Sequence, residues 1–509
     1  MSAESVAPQL TREQGVAAPG YRRLVALLMM VAYTANSADR TLIAIIGQPM
    51  KVDLGLSDTQ LGLLVGTAFV VLYTFSGVLV ARLAERFSRV AIISVAIALW
   101  SALTGLLAAA QNFTQLLLIR MTVGVFEAGC TPPAHSLLSD YFPPQQRATA
   151  LSFYSCGISV GYIVSAMLGG WVALHYGWRA ACLIIGLPGV MIALAIRRFV
   201  REPARGGFDP QGLRAAGPGS WPSTTPAGTL ASVRREFAEL GQVAGQLLTR
   251  WPIANLVLGV TIATFTAQGS YAFVPAYFNR VFGLDYATIG IVSGLAGGVS
   301  VAFGLLAGGY LTDWLGSRAV RWYALVPAIG LAVCTPVYVL AFIETDWRVS
   351  AWLVGLAAFF QYLSFGPTFG IVQNVVDARR RATATALIYI LLNVIGLGIG
   401  PVFTGALIDR FAEFNFAHPA STTVASSAVA MLGAVPGSGS HFAAACPAGH
   451  VPTAAVAACR SALALASREG IALTVLLYAW AALHYLLGAV GLQKELSGAA
   501  RQHAGAPRR

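Results

Sequence analysis

Long uninterrupted apolar runs recur from one end of the chain to the other, and they decide what it can fold into. A helix crosses about 30 Å of hydrocarbon with about 20 residues. Twelve runs approach or exceed that length, at about 24 to 49, 59 to 81, 90 to 110, 115 to 141, 148 to 174, 180 to 199, 253 to 278, 286 to 312, 322 to 343, 351 to 376, 383 to 409 and 470 to 492. In lipid every backbone polar group must be paired within its own segment, so such runs are read as helices. Composition agrees: of 509 residues, 33 are Lys or Arg and 21 are Asp or Glu, 11% charged against 56% hydrophobic. Soluble domains carry about 25% charged residues, and this chain has too little polar surface to cover a globule of its size. A disordered chain, a disulfide-stapled secreted domain and most soluble enzymes are excluded. The expected class is an all-α membrane protein.

Charge outside the runs sets the topology. With the N terminus in the cytoplasm, one side carries Arg22, Arg23, Arg82, Arg86, Arg89, the basic stretch from Arg197 to Arg250, Arg318, Arg321 and Arg379 to Arg381. The other side holds only Lys51, Arg179, Arg280, Arg348, Arg410, Arg460 and Arg468. That bias places both termini in the cytoplasm of a multi-pass cell-membrane protein, the inner membrane if the chain is bacterial. Basic loops facing anionic lipid also account for the net charge of +12 without a nucleic-acid partner. The expected layout is a tail at 1–23, a six-helix bundle at 24–200, a Pro- and Gly-rich cytoplasmic linker at 201–250, a second six-helix bundle at 251–493 with an extracytoplasmic loop at 411–469, and a tail at 494–509.

The halves repeat. Pro133, Arg147, Ala148, Thr149 and Ala150 return in the same order as Pro367, Arg381, Ala382, Thr383 and Ala384. Glu85 with Phe87-Ser88-Arg89 after the second run is matched by Asp313 with Leu315-Gly316-Ser317-Arg318 after the eighth. Two copies of six helices are therefore expected.

This layout resembles the major facilitator superfamily of secondary transporters, whose loop signature is similar to Ala81-Arg82-Leu83-Ala84-Glu85-Arg86-Phe87-Ser88-Arg89. Ala81 and Ser88 stand where the family usually has Gly, and Glu85 where it has Asp. Asn36-Ser37-Ala38-Asp39-Arg40, together with Arg120, Gly124, Glu127-Ala128 and Pro132 followed by Asp140-Tyr141-Phe142-Pro143, most resembles the spinster-like lipid transporters. The resemblance implies a 6+6 fold, alternating access, lysophospholipid or sphingoid substrates, and a cytoplasmic gate at Glu85, Arg86, Arg89 and Asp313. Organic-anion symporters of the superfamily carry a similar Arg-to-Glu pattern, and a symporter or exporter of small organic anions or drugs stands as the alternative.

The charges give a reading of their own. Only Asp39, Arg40, Arg120 and Glu127 lie well inside the runs, and intramembrane ionisable groups are functional candidates by default. Glu127 falls about 20 Å from the outer end of its run, near the midplane, and Asp39 reaches a similar depth. Burial disfavours an ionised carboxylate and a neighbouring Arg favours it, so the balance can switch as a site opens. Glu127, assisted by Asp39, is expected to couple transport to protons, ion-paired with Arg40 or Arg120 in one state; a permanent structural pair is the alternative. Arg40 or Arg120 also suits an anionic head group. The remaining cavity candidates are uncharged, namely Asn36, Gln268, Tyr271, Gln361, Gln373 and Asn393, and fit an amphipathic substrate.

Cys446 and Cys459 share the outer loop and are either disulfide-bonded or free. No metal or organic cofactor is expected, the proton gradient being the energy source, and the transporter is read as a monomer. With no phosphate-cradling Gly-Lys-Ser/Thr loop and the seven His scattered, an ATP-driven pump or a membrane enzyme is disfavoured.

Overall fold

The computed structural model describes residues 18–142, 144–203, 241–242, 244–245, 248–365, 367–368, 387–418, 442, 445–446 and 456–493. All regular elements among them are helical. In the first half these are α1 (Pro19–Leu54), α2 (Asp58–Val65), α3 (Thr67–Arg86), α4 (Arg89–Leu106), α5 (Phe113–Glu127), α6 (Thr131–Tyr141), α7 (Pro144–Val164), α8 (Gly170–Gly186) and α9 (Pro188–Phe199). The second half contributes α10 (Trp251–Phe282), α11 (Tyr286–Ser293), α12 (Ser300–Gly316), α13 (Trp322–Ile343), α14 (Trp347–Tyr362), α15 (Gly400–Ala417), α16 (Val456–Val475) and α17 (Leu477–Ala489). Each apolar run overlaps described helix, the tenth and eleventh only in part because 366 and 369–386 lie outside the described residues, and among the described residues nine helices are long and apolar enough to cross a membrane.

Local chemistry explains the breaks. Ser57 caps α2 by accepting from Gln60 N while the Gln60 side chain returns to the Ser57 N–H, a reciprocal capping box. Gly177, at φ 84°, turns the chain inside Gly170–Gly186, between the fifth and sixth runs, in a conformation costly for residues with a Cβ. The fifth, eighth and eleventh runs each widen into a π-helical turn, at Ser165–Gly169, Gly294–Val299 and Leu392–Ile399. The run expected at 115–141 is divided in two. α5 ends on Glu127 itself, and α6 restarts with Pro132 and Pro133 in its first turn, where missing N–H groups do no harm.

The helices form two compact units, whose described residues come from Met1–Ile46 and Ala68–Ser223 in one and from Gly47–Thr67 and Thr224–Arg509 in the other. The first buries Trp100, Tyr141 and Tyr154; the second buries Phe273, Tyr277, Phe278 and Phe342. Trp352, Tyr310 and Met191 are instead strongly exposed while Arg89, Arg120 and Glu127 are buried, the polarity expected in lipid.

Candidate functional site

Within the first unit the four intramembrane charges form two separate ion pairs. Arg40 Nε donates to Glu127 Oε1 at 2.9 Å, and Arg120 Nη1 donates to Asp39 Oδ2 at 3.1 Å. Sequence neighbours Asp39 and Arg40 project from α1 about 100° apart, which sends them to different partners. Of the two partners the sequence offered Glu127, Arg40 or Arg120, the structure takes Arg40 and gives Arg120 to Asp39.

The pairs differ in environment. Asp39 is closed in, its Oδ1 accepting from Thr104 Oγ1 at 2.6 Å and its Oδ2 from Arg120. Glu127 side chain is fully buried, whereas Arg40 keeps 29% of its side chain exposed. Glu127 Oε2 has no hydrogen-bond partner among the described residues, nor do Arg120 Nε and both polar atoms of the wholly buried Asn36. Glu127 also closes a helix, where the dipole is negative, so its link to Arg40 supplies the positive charge the helix end lacks.

Aromatic rings complete the site. The Arg40 guanidinium lies 4.7 Å from the Phe69 ring centroid and 4.6 Å from that of Tyr73, and Arg120 lies 5.0 Å from Phe69. One ring thus serves both cations. Gly124 makes this possible: a Cβ there would collide with the Phe69 carbonyl, so only glycine lets α5 approach α3 so closely.

Other candidates are placed as follows. Gln361 is buried in the second unit, its Oε1 accepting from Tyr338 Oη at 2.8 Å, which makes it part of a packed aromatic stack with Tyr478 rather than an open wall. Gln268 and Tyr271 are half-buried on α10, and Asn393 is half-buried in the π turn of the eleventh run. Gln373 lies outside the described residues, as do 204–240 of the linker, most of the outer loop and both tails beyond residues 18 and 493. Glu85 and Arg86 end α3 and Asp313 sits in α12, with their side chains outside the described set. Cys446 and Cys459 are joined by a disulfide, with Cα atoms 5.7 Å apart.

Arg89 is not a free loop cation but a buried staple. Its Nε donates to Glu202 Oε1 at 2.7 Å, and its Nη1 donates to Asp140 and, at 2.9 Å, to Ser136 Oγ. Glu202 Oε2 also accepts from Ser88 Oγ and Val90 N, at 2.9 and 3.0 Å, so it caps α4. Lys51 and Arg280, assigned by sequence to outer loops, are likewise buried and paired with Asp58. Hydropathy missed these because their charges sit at run ends, where a buried position and a loop look alike. Thr104, Phe69 and Tyr73 gave no signal beyond belonging to apolar runs. Among the described residues no group of three His, Cys, Asp or Glu gathers as a metal would require.

A twelve-run helical membrane protein with paired charges inside the bilayer is a secondary-transporter arrangement, and the comparisons agree. The Major Facilitator Superfamily model matches residues 26–401, and the chain belongs to that superfamily of membrane transporters. An MFS-type efflux pump of Mycolicibacterium smegmatis is 30% identical over 392 residues, 76% of this chain and 85% of that one. A hexuronate transporter of Bacillus subtilis is 25% identical over 77% of this chain and 89% of its own. The crystal structure of a bacterial homologue of the human lysosomal transporter spinster, inward-facing and unoccupied, aligns with a TM-score of 0.77 at 29% identity, over 94% of this chain and 99% of that one.

Proposed function

We propose that this transporter moves an amphipathic anion, a lysophospholipid or sphingoid phosphate, together with protons by alternating access. The observation that carries the reading is the asymmetry of the Arg40–Glu127 pair: a buried carboxylate with one oxygen unpartnered, bonded to a guanidinium that is partly exposed. Glu127 engages only Nε of Arg40, and a guanidinium fork suits phosphate or carboxylate. Proton and head group then load together. A proton on Glu127 cancels its hold on Arg40, and Arg40 takes the anion; loss of the proton returns Arg40 to Glu127 and expels the anion. Asp39, with both oxygens satisfied, positions Arg120 and assists without carrying the proton itself.

In this reading the termini and linker are cytoplasmic, Glu85, Arg86, Arg89 and Asp313 belong to the cytoplasmic gate, with Arg89 as its fixed anchor, and one chain suffices. Asn36, Gln268, Tyr271, Gln373 and Asn393 remain cavity candidates, whereas Gln361 is taken up by Tyr338. Likeness to a spinster homologue favours the lipid. A relative described as a hexuronate transporter supports a second reading, a small organic anion held by the same Arg40.

Purified protein in liposomes, supplied in turn with a lysophospholipid and with a hexuronate under an imposed pH gradient, separates the two. Uncoupler-sensitive flux of the lysolipid alone supports the lipid reading; flux of the sugar acid alone overturns it.

A further inference from the structure

Asn36 is wholly buried, and among the described residues neither its amide oxygen nor its amide nitrogen has a hydrogen-bond partner. A buried amide left unpaired on both sides is costly, so its place on α1 calls for a reason.

The reason lies one helical turn away. Asn36 precedes Asp39 by three residues and Arg40 by four, and at about 100° per residue its direction falls between theirs. Long helical side chains lean over the turn before their own Cα, so the Arg40 guanidinium is carried back along the turn that holds Asn36. Tyr33, almost a turn further back, is close enough to act electrostatically on that guanidinium, which places Asn36 alongside it. Glu127 is bonded to Arg40 Nε at 2.9 Å, and its Oε2 is unpartnered among the described residues. An unused carboxyl oxygen and an unused amide are thus brought to the same turn of α1.

The neighbouring groups leave this contact to Glu127. Asp39, the other carboxylate within a turn of Asn36, has both oxygens taken by Thr104 and Arg120. The remaining groups that act on Glu127 or Arg40 are Arg120 on α5, Cys130 just beyond its end, Tyr33 on α1 and Tyr73 on α3. Tyr154, on α7, stands behind Cys130 and stacks on Tyr33 with ring centroids 4.4 Å apart. No third carboxylate is among them.

An amide tells the two forms of a carboxyl group apart. A protonated carboxyl donates one bond and accepts another, and an amide accepts and donates in the same plane, so the two close a ring of two hydrogen bonds. A carboxylate only accepts; it would use the amide N–H and face the amide oxygen with a second oxygen. We propose that Asn36 is a positioning residue that receives protonated Glu127: the neutral carboxyl leaves Arg40 and closes the two-bond ring with the Asn36 amide. The proton bonds to a Glu127 oxygen, the Arg40 Nε bond to Oε1 breaks, the new O–H donates to Asn36 Oδ1, and Asn36 Nδ2 donates to the other carboxyl oxygen. Arg40 is then held free for the substrate. The inference rests on the reading of Glu127 as the proton carrier.

Infrared difference spectroscopy on the purified full chain, stepped through pH, follows the C=O stretch of protonated carboxyls, and the band lost in Glu127→Gln belongs to Glu127. Asn36→Leu keeps the size of the side chain and removes no side-chain hydrogen bond seen among the described residues, so it is expected to fold. Its Glu127 band is expected at higher frequency, because the ring of hydrogen bonds is gone, and with a midpoint about one pH unit lower, a tenfold weaker hold on the proton. If Asn36→Leu does not fold, Asn36→Ala is read in the same way. An unchanged frequency in the folded variant overturns the role of Asn36, whatever the midpoint does. A spectrum from which Glu127→Gln removes no band overturns the reading of Glu127 itself, so the two failures are told apart.

Discussion

Arg40 and Glu127 share one bond, Nε to Oε1 at 2.9 Å, between a guanidinium that keeps 29% of its side chain exposed and a carboxylate that is fully buried. Asp39, next to Arg40 in sequence, and Arg120, seven residues before Glu127, make the opposite kind of pair in the same unit, with both side chains buried. A pair with one partner partly exposed can be exchanged for a proton and a ligand. A pair closed on both sides cannot be opened without stranding a charge.

Asp39→Asn should therefore act on stability before transport. It leaves Arg120 buried without the carboxylate it hydrogen-bonds, a loss on the order of 3–5 kcal/mol. Thr104→Val removes one hydrogen bond to the same carboxylate and should cost about 1–2 kcal/mol. Thermal unfolding in detergent should rank Asp39→Asn below Thr104→Val, and Thr104→Val below wild type; equal midpoints for all three would contradict the positioning role.

Phe69 lies beneath both guanidiniums, so Phe69→Leu should weaken two cation–π contacts at once, at about 1 kcal/mol each. The readout is substrate affinity together with thermal stability. A change in neither would mean that the ring is ordinary packing.

A pH effect outside the membrane can be given a sign. Asp285 caps α11, and hydrogen bonds from the Thr288 backbone N–H and hydroxyl hold its carboxyl below the ordinary value. Its contribution is thus present above the unfolded-state value of about 4 and fades as pH falls through the lower folded one. Asp285→Ala should lose about 1 kcal/mol at neutral pH, measured as an unfolding midpoint, with the deficit shrinking in acid.

Much of this protein was readable from sequence. Apolar runs fixed the class, and the match of Pro133 and Arg147 to Pro367 and Arg381 indicated two halves. Four charges inside the runs marked the site because a charge in hydrocarbon needs a reason. Their pairing was not readable. The sequence left Glu127 to pair with either Arg40 or Arg120, because the rotation of α1 against α5 decides partners and no local pattern encodes it. The break after Glu127 was written in Gly129, Pro132 and Pro133, then hidden by hydropathy, which sees an unbroken run. Lys51, Asp58 and Arg280 were hidden for the opposite reason: at run ends they look like solvated loop charges until segment 47–67 is seen to fold into the second unit.

The central claim is that Glu127 carries the proton that frees Arg40 for the substrate. Substrate-driven proton flux into liposomes, recorded with a pH-sensitive dye for wild type and Glu127→Gln, tests it most directly. The account predicts that Glu127→Gln folds and still binds substrate, while its proton flux falls by at least about tenfold, equivalent to ~1.4 kcal/mol, and its substrate flux no longer responds to pH. Proton flux in Glu127→Gln equal to that of wild type would contradict it.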